Sequence, residues 1–272
     1  MATANAAEKN VVQSLAKGFR VLAAFTADRP ELALAECARA AELDNATAFR
    51  LLNTLVQLGY VEKIPGTKKF RLTLKCLELG FNAIARTDLR SLARPLLRGI
   101  VGQGIEAASV GVPDWPDMVY VERVQAGLVR LGIEVRIGSR VPVHSSAIGQ
   151  AVLAFLPPET QRSVLAAAPR QKLTPHTITD IDALLHRLAA VRAQGVALSD
   201  QENVSGLRVL AAPVLDADGV PIAALSAASP AFAMSLAEFE AAARTPVAEA
   251  ARTLSRALHA AGSVAQPAAQ RA

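Results

Sequence analysis

Residues 44–72 read DNATAFRLLNTLVQLGYVEKIPGTKKFRL, and the first third of the chain takes its fold from how this stretch divides. Asp44 and Asn45 are both candidates for a helix N-cap, because a short polar side chain can accept from the free amides of the first turn. A helix is expected from Ala46 to Leu58, with Phe49, Leu52, Leu55 and Val56 on its buried side. Gly59 suits the cap that ends it. Tyr60–Ile64 then alternates like a strand, Pro65-Gly66-Thr67-Lys68 signals a turn, and Lys69–Leu74 alternates again with Phe70, Leu72 and Leu74 on one face. Upstream, apolar residues at Val12, Leu15, Phe19, Leu22 and Ala23 predict a helix over 11–26, stopped by Pro30. A second helix is expected over 34–41. Helix, helix, turn, helix and hairpin in this order make a winged helix-turn-helix, bounded at residues 11–74.

A helix that enters the major groove must bury one face and offer polar groups on the other. Asn45, Thr47, Arg50 and Asn53 lie off the predicted buried side. Arg50 suits a guanine edge or a phosphate, and Thr47 a phosphate or a base edge. Lys68, Lys69 and Arg71 cluster at the hairpin, where cations suit backbone contact beside the groove. The charge follows the same division. Of the net +5, residues 1–90 carry 13 Lys+Arg against 9 Asp+Glu, whereas the remainder carries 16 against 15. Double-stranded operator DNA is the partner these features imply.

Beyond Leu74 a helical connector is expected over 75–102, with Pro95 as a kink or a helix start. The texture then changes to that of an α+β domain over 103–260. Strands are expected near 106–112, 118–124, 129–137, 207–215 and 221–227. Helices are expected near 146–156, 158–167, 180–193 and 236–259. Asp180 and Gly195 fit the two ends of the third of these helices. Arg130, Glu134 and Arg136 fall on one face of the 129–137 run, which reads as a solvated strand face. Asp114 and Asp117 flank Trp115 in what reads as a loop.

At this point the chain resembles the IclR family of bacterial regulators. In the head, the resemblance is carried by Ser14-Leu15-Ala16-Lys17-Gly18, Ala46–Leu52, Leu58-Gly59-Tyr60-Val61 and Lys69–Leu72. In the second half it is carried by Arg140–Ala151, Glu202, Gly206-Leu207-Arg208, Ala211–Val214 and Ala224-Leu225-Ser226. Three positions depart from the usual pattern: Ala46 stands for Ser, Thr73 for Gly and Gln150 for Lys; Val209 and Ala228 stand where members that bind tiny hydrophilic acids can have Cys and Ser. The resemblance implies a GAF-like effector-binding domain, a homodimer or homotetramer, and a small organic acid as effector. It adds Ser14 and Lys17 to the DNA-facing candidates. It also places Ala147, Ile148, Ser199, Val209 and Ser226 at the effector, with Val209 and Ala228 favouring a larger or more apolar ligand. Free amides at Ala147–Gly149 and the hydroxyls of Ser145, Ser146 and Ser226 are expected to face the anion. His144 reads as a structural hydrogen bonder rather than a ligand.

Enzyme readings find little support. His144, Ser145 and Ser146 are adjacent, but adjacency is not a triad. A winged helix can also serve only to dimerise a small-molecule enzyme, but the glycine-rich cofactor loop this needs is not found. No cofactor is implied. The four histidines and two cysteines are not at metal-ligand spacing. No apolar run reaches the ~20 residues of a membrane span, and a cytoplasmic protein is expected.

Overall fold

The computed structural model describes residues 11–84, 89–127 and 135–261, which form two units dividing near residue 86. The first unit contains α1 (Gln13–Ala23), β1 (Glu31–Ala33), α2 (Leu34–Ala40), α3 (Asn45–Gln57), β2 (Val61–Lys63), β3 (Lys69–Leu72) and α4 (Lys75–Ile84). Its core joins Val21, Phe25, Leu32, Cys37, Leu52, Leu55, Val61 and Phe70. The three-residue β1 is too short to show alternation. It exists because β3 offers it a free edge, with Leu32 opposite Phe70, and the sheet order is β1-β3-β2.

Three apolar assignments made from spacing are corrected here. Val12, just before α1, and Leu15 and Phe19 within it are 62%, 61% and 58% exposed, while Val21 and the following Ala24 and Phe25 fill the core. In α3 the buried row is Ala48, Leu52 and Leu55, at helical spacing. Phe49 lies about 100° round from Ala48 and is half exposed. Leu74 is exposed as well. The exit from the hairpin is fastened to the end of α3. Thr73 Oγ1 donates to the Gly59 carbonyl at 2.5 Å, and Lys75 Nζ donates to the Leu58 carbonyl at 2.9 Å. A glycine at position 73 would lack the first of these bonds.

The second unit is a six-stranded antiparallel sheet with helices on both faces. Its strands are β4 (Ala107–Asp114), β5 (Asp117–Gln125), β6 (Arg140–Pro142), β7 (Ala197–Asp200), β8 (Leu207–Leu215) and β9 (Pro221–Pro230), in the order β6-β5-β4-β9-β8-β7. Helices α5 (Leu89–Ile100) and α9 (Leu236–Ala260) pack against each other and on one face, and α6 (Ala147–Leu153) packs on the other. Helix α8 (Ile181–Gln194) covers α6, and α7 (Pro158–Ala166) packs on α8. Asp180 caps α8 by accepting from Ala183 N, and Gly195 ends it at φ 73°. Pro95 lies inside α5. Most of the strand expected over 129–137 lies outside the described residues, as do Arg130 and Glu134. Its described end, 135–137, is not a strand. The edge strand is instead Arg140–Pro142, paired with Asp117–Val119.

Candidate functional site

The first site is the exposed face of α3 with its wing. Asp44, rather than Asn45, caps the helix: its carboxylate accepts from Thr47 N at 2.8 Å. That hydrogen bond holds the Asp44 carboxyl below its ordinary pKa. Asn45, Arg50, Asn53, Lys68 and Lys69 are exposed, as is Ser14, while Thr47 and Lys17 are partly covered. Arg50, Lys68 and Lys69 have no carboxylate partner among the described residues. Arg71 differs, because its guanidinium pairs with Glu62 across the hairpin at 2.5 Å. Its charge is already countered, and it is the weakest of the DNA-facing candidates.

The second site is a cavity of about 200 Å³ on the α6 face of the large sheet. The register explains its lining. Arg123, Ser109, Ser226 and Ala211 follow one another across β5, β4, β9 and β8, and Ala228, Val209 and Ser199 form the next row over β9, β8 and β7. Residues in register on neighbouring strands share a face. A bulge at Val121 lets Tyr120 join them. Val110 pairs with Glu122 but Gly111 pairs with Tyr120, so one residue of β5 is skipped. Tyr120 and Arg123 therefore both line the cavity. Glu122 points the other way, where Arg90 Nε of α5 meets its carboxylate at 3.2 Å.

Ala147, Ser199, Val209 and Ser226 thus converge on one cavity, together with Ser146 and Ala228. Three expectations are corrected. Ile148 does not line it; its side chain belongs to the core beneath α6 and would meet a Cβ at Gly111 at 2.8 Å. The amides at the start of α6 are not all free, since Ser146 Oγ accepts from Gly149 N at 3.3 Å. Ser145 is turned away as well, and donates to Asn203 Oδ1 at 3.0 Å.

Arg123 was missed by sequence reading, because a bulge breaks the alternation that would have placed it beside Tyr120. Its Nη1 donates to Ser109 Oγ at 2.8 Å, but its Nε is buried with no hydrogen-bond partner among the described residues. Burial pulls the Arg123 pKa down, yet a guanidinium stays charged at neutral pH. Burial likewise pushes the Tyr120 phenol up to about 12, so it is a neutral hydroxyl at the cavity wall. Arg140 also lines the cavity, but Asp114 and Asp117 hold it at 2.6 and 3.1 Å. Those two aspartates are the ends of β4 and β5, paired in register. Among the described residues of the cavity wall, Arg123 is therefore the cation with capacity to spare.

A polar cluster braces the wall behind α6. Gln150 Nε2 donates to the His144 carbonyl at 2.9 Å and to Glu202 at 3.1 Å, and Arg187 meets the other Glu202 oxygen at 3.0 Å. His144 Nε2 donates to the Gln171 carbonyl at 3.0 Å, since a carbonyl can only accept. Burial, the largest cause, lowers the His144 pKa. The unfolded chain then binds a proton below about pH 6.5 that the folded chain resists. Stability should fall as pH drops through that value and level off above it. Denaturant titrations at several pH values check this, and the acid-side fall should shrink in His144→Gln.

Comparison with known proteins follows this division. Residues 14–65 match the IclR helix-turn-helix domain, and residues 81–256 match the family described as bacterial transcriptional regulator IclR C-terminal. The chain is 35% identical over 219 residues to the HTH-type transcriptional regulator KdgR of Dickeya chrysanthemi, covering 80% of this chain and 71% of that protein. A transcriptional regulator of known structure from a Rhodococcus species is 35% identical with a TM-score of 0.82, covering 92% of this chain and all of that one. An IclR homologue from Microbacterium hydrocarbonoxydans, solved in complex with 4-hydroxybenzoate, is 28% identical with a TM-score of 0.79, covering 91% of this chain and 99% of that one. These relatives are named as regulators, not as enzymes. With both family matches in chain order, one on each unit, the chain belongs to the IclR family of bacterial transcriptional regulators.

Proposed function

We propose that this regulator binds a small organic acid in the cavity of its second unit and alters its hold on operator DNA in response. The observation that carries the reading is Arg123: a partly buried guanidinium whose Nε has no hydrogen-bond partner among the described residues, on a cavity otherwise lined by the ion-paired Arg140, serines, Asn203, Tyr120 and apolar residues. A carboxylate in the cavity supplies an acceptor for this guanidinium, and charge-assisted pairing of this kind is the stronger class of hydrogen bond. The volume and the Val209, Leu207 and Ala228 walls suit a compact acid with an apolar body. The 4-hydroxybenzoate bound by the Microbacterium homologue is of that class. Genes for catabolism of such an acid are the corresponding targets.

Successive residues of β5 offer a route for the signal. Arg123 faces the cavity and Glu122 grips α5, so a shift of the bulge on ligand binding is felt at both. Ligand and DNA are then linked by their differential affinities for two arrangements of the protein. A homodimer or homotetramer reading a pseudo-palindromic operator fits this scheme. The exposed Leu15 and Phe19 of α1, with Val12 at its N-cap, supply an apolar stripe on which two heads can pair.

Operator binding measured against salt concentration tests the DNA half. Each phosphate contact contributes about one unit to the slope of log affinity against log salt. Lys68→Ala and Lys69→Ala should each flatten the slope by about one, and Arg71→Ala by much less because Glu62 already holds it. Arg50→Ala should cost about 1–3 kcal/mol and relax specificity if it reads a base. Equal slopes for the lysine variants and the parent would remove the wing from the interface.

A further inference from the structure

Phe49 sits where a buried residue was expected, yet half its surface is open to solvent. Asn45, Phe49 and Asn53 are spaced four apart and stack along one edge of α3, beside the outward Ala46 and Arg50, and all of them are exposed. Single exposed apolar residues are common, but the setting of this one is specific. It stands in the N-terminal half of the recognition helix, where base edges are reached. It is flanked by three hydrogen-bonding side chains and adjoins Ala46, whose methyl offers no polar contact. Ala46 and Phe49 together make a small apolar patch within a polar, basic face. In the major groove the apolar complement to such a patch is the C5-methyl group of thymine.

We infer that Phe49 is a specificity-determining residue that reads a thymine methyl in the operator. The inference rests on α3 being the recognition helix. Failure of that premise would appear as no sequence-selective binding at all, whereas failure of the inference appears as selective binding without methyl discrimination.

The test begins with a duplex operator selected from random DNA by the full chain. Thymines are then replaced by uracil one position at a time, which removes only the methyl. Binding by the parent should weaken about fourfold at one position in each half-site, the ratio expected for one buried methyl group. Phe49→Ala should bind the thymine operator more weakly and gain no further loss from uracil there, while Phe49→Leu keeps part of the discrimination. Because Phe49 is outside the core, both variants should retain the parent's circular dichroism. The inference is overturned if no thymine-to-uracil change affects the parent, or if Phe49→Ala discriminates as the parent does.

Discussion

Gly149→Ala is expected to lower the unfolding midpoint of the C-terminal unit by about 6–12 °C, corresponding to about 3 kcal/mol in a unit of this size. The reason is contact, not backbone conformation. A Cβ at Gly149 would lie 2.4 Å from Val143 Cα, 2.6 Å from Val143 O and 2.8 Å from Ser146 Oγ. Two of those three atoms are backbone, which cannot rotate aside, and interiors packed to crystal density transmit such a displacement. Helix α6 would have to lift from the turn that precedes it, taking Ser146 and Ala147 from the cavity wall. Gly111→Ala is the informative control. There the shortest contact, 2.8 Å, is to Ile148 Cδ1, the end of a side chain that can adjust, so a smaller loss is expected. Calorimetry of the full chain decides between them, and an unchanged midpoint in Gly149→Ala would refute this packing of α6.

Arg123→Met should separate stability from ligand binding. Methionine roughly preserves the length and apolar stem of arginine while removing a buried N–H without a partner. An unsatisfied buried donor is a cost to the folded chain that offsets the lost Nη1 hydrogen bond to Ser109, so the ligand-free variant should unfold about as readily as the parent. Affinity for a carboxylate should move in the opposite direction. Removing one member of a buried charge pair costs about 2 kcal/mol or more, a loss of about thirtyfold. Thermal shifts against a panel of small keto acids and benzoates, each with its neutral amide, check both statements. Any acid that stabilises the parent should do so more than its amide, and should lose most of its effect on Arg123→Met. A variant that is destabilised without ligand yet still responds to the acid would show that Arg123 is structural.

Long elements were legible in the sequence because period and caps agree. Asp180 and Gly195 mark α8 within a residue at each end, and Ser235 and Glu238 cap α9 reciprocally. Three of the short edge strands were not, since β1, β6 and β7 have three or four residues and owe their conformation to neighbours distant in sequence. On α3, size misled: Phe49 is larger than Ala48, but the row through Leu52 and Leu55 selects Ala48. In the cavity, Ala147, Ser199, Val209 and Ser226 were reached through family resemblance. Arg123 needed the pairing register, because only the skipped residue at Val121 turns it to the same face as Tyr120. Ser109 needed it too, as the strand neighbour of both Arg123 and Ser226.

Operator affinity, measured for the full chain across the same acid panel, bears most directly on the claim that an acid held by Arg123 controls DNA binding. At least one acid should change the parent's operator affinity by about 5–150-fold, the usual range of a coupling between sites. Arg123→Met should bind the operator with the parent's ligand-free affinity and fail to respond. No response from the parent to any acid, or an undiminished response from Arg123→Met, would contradict the account.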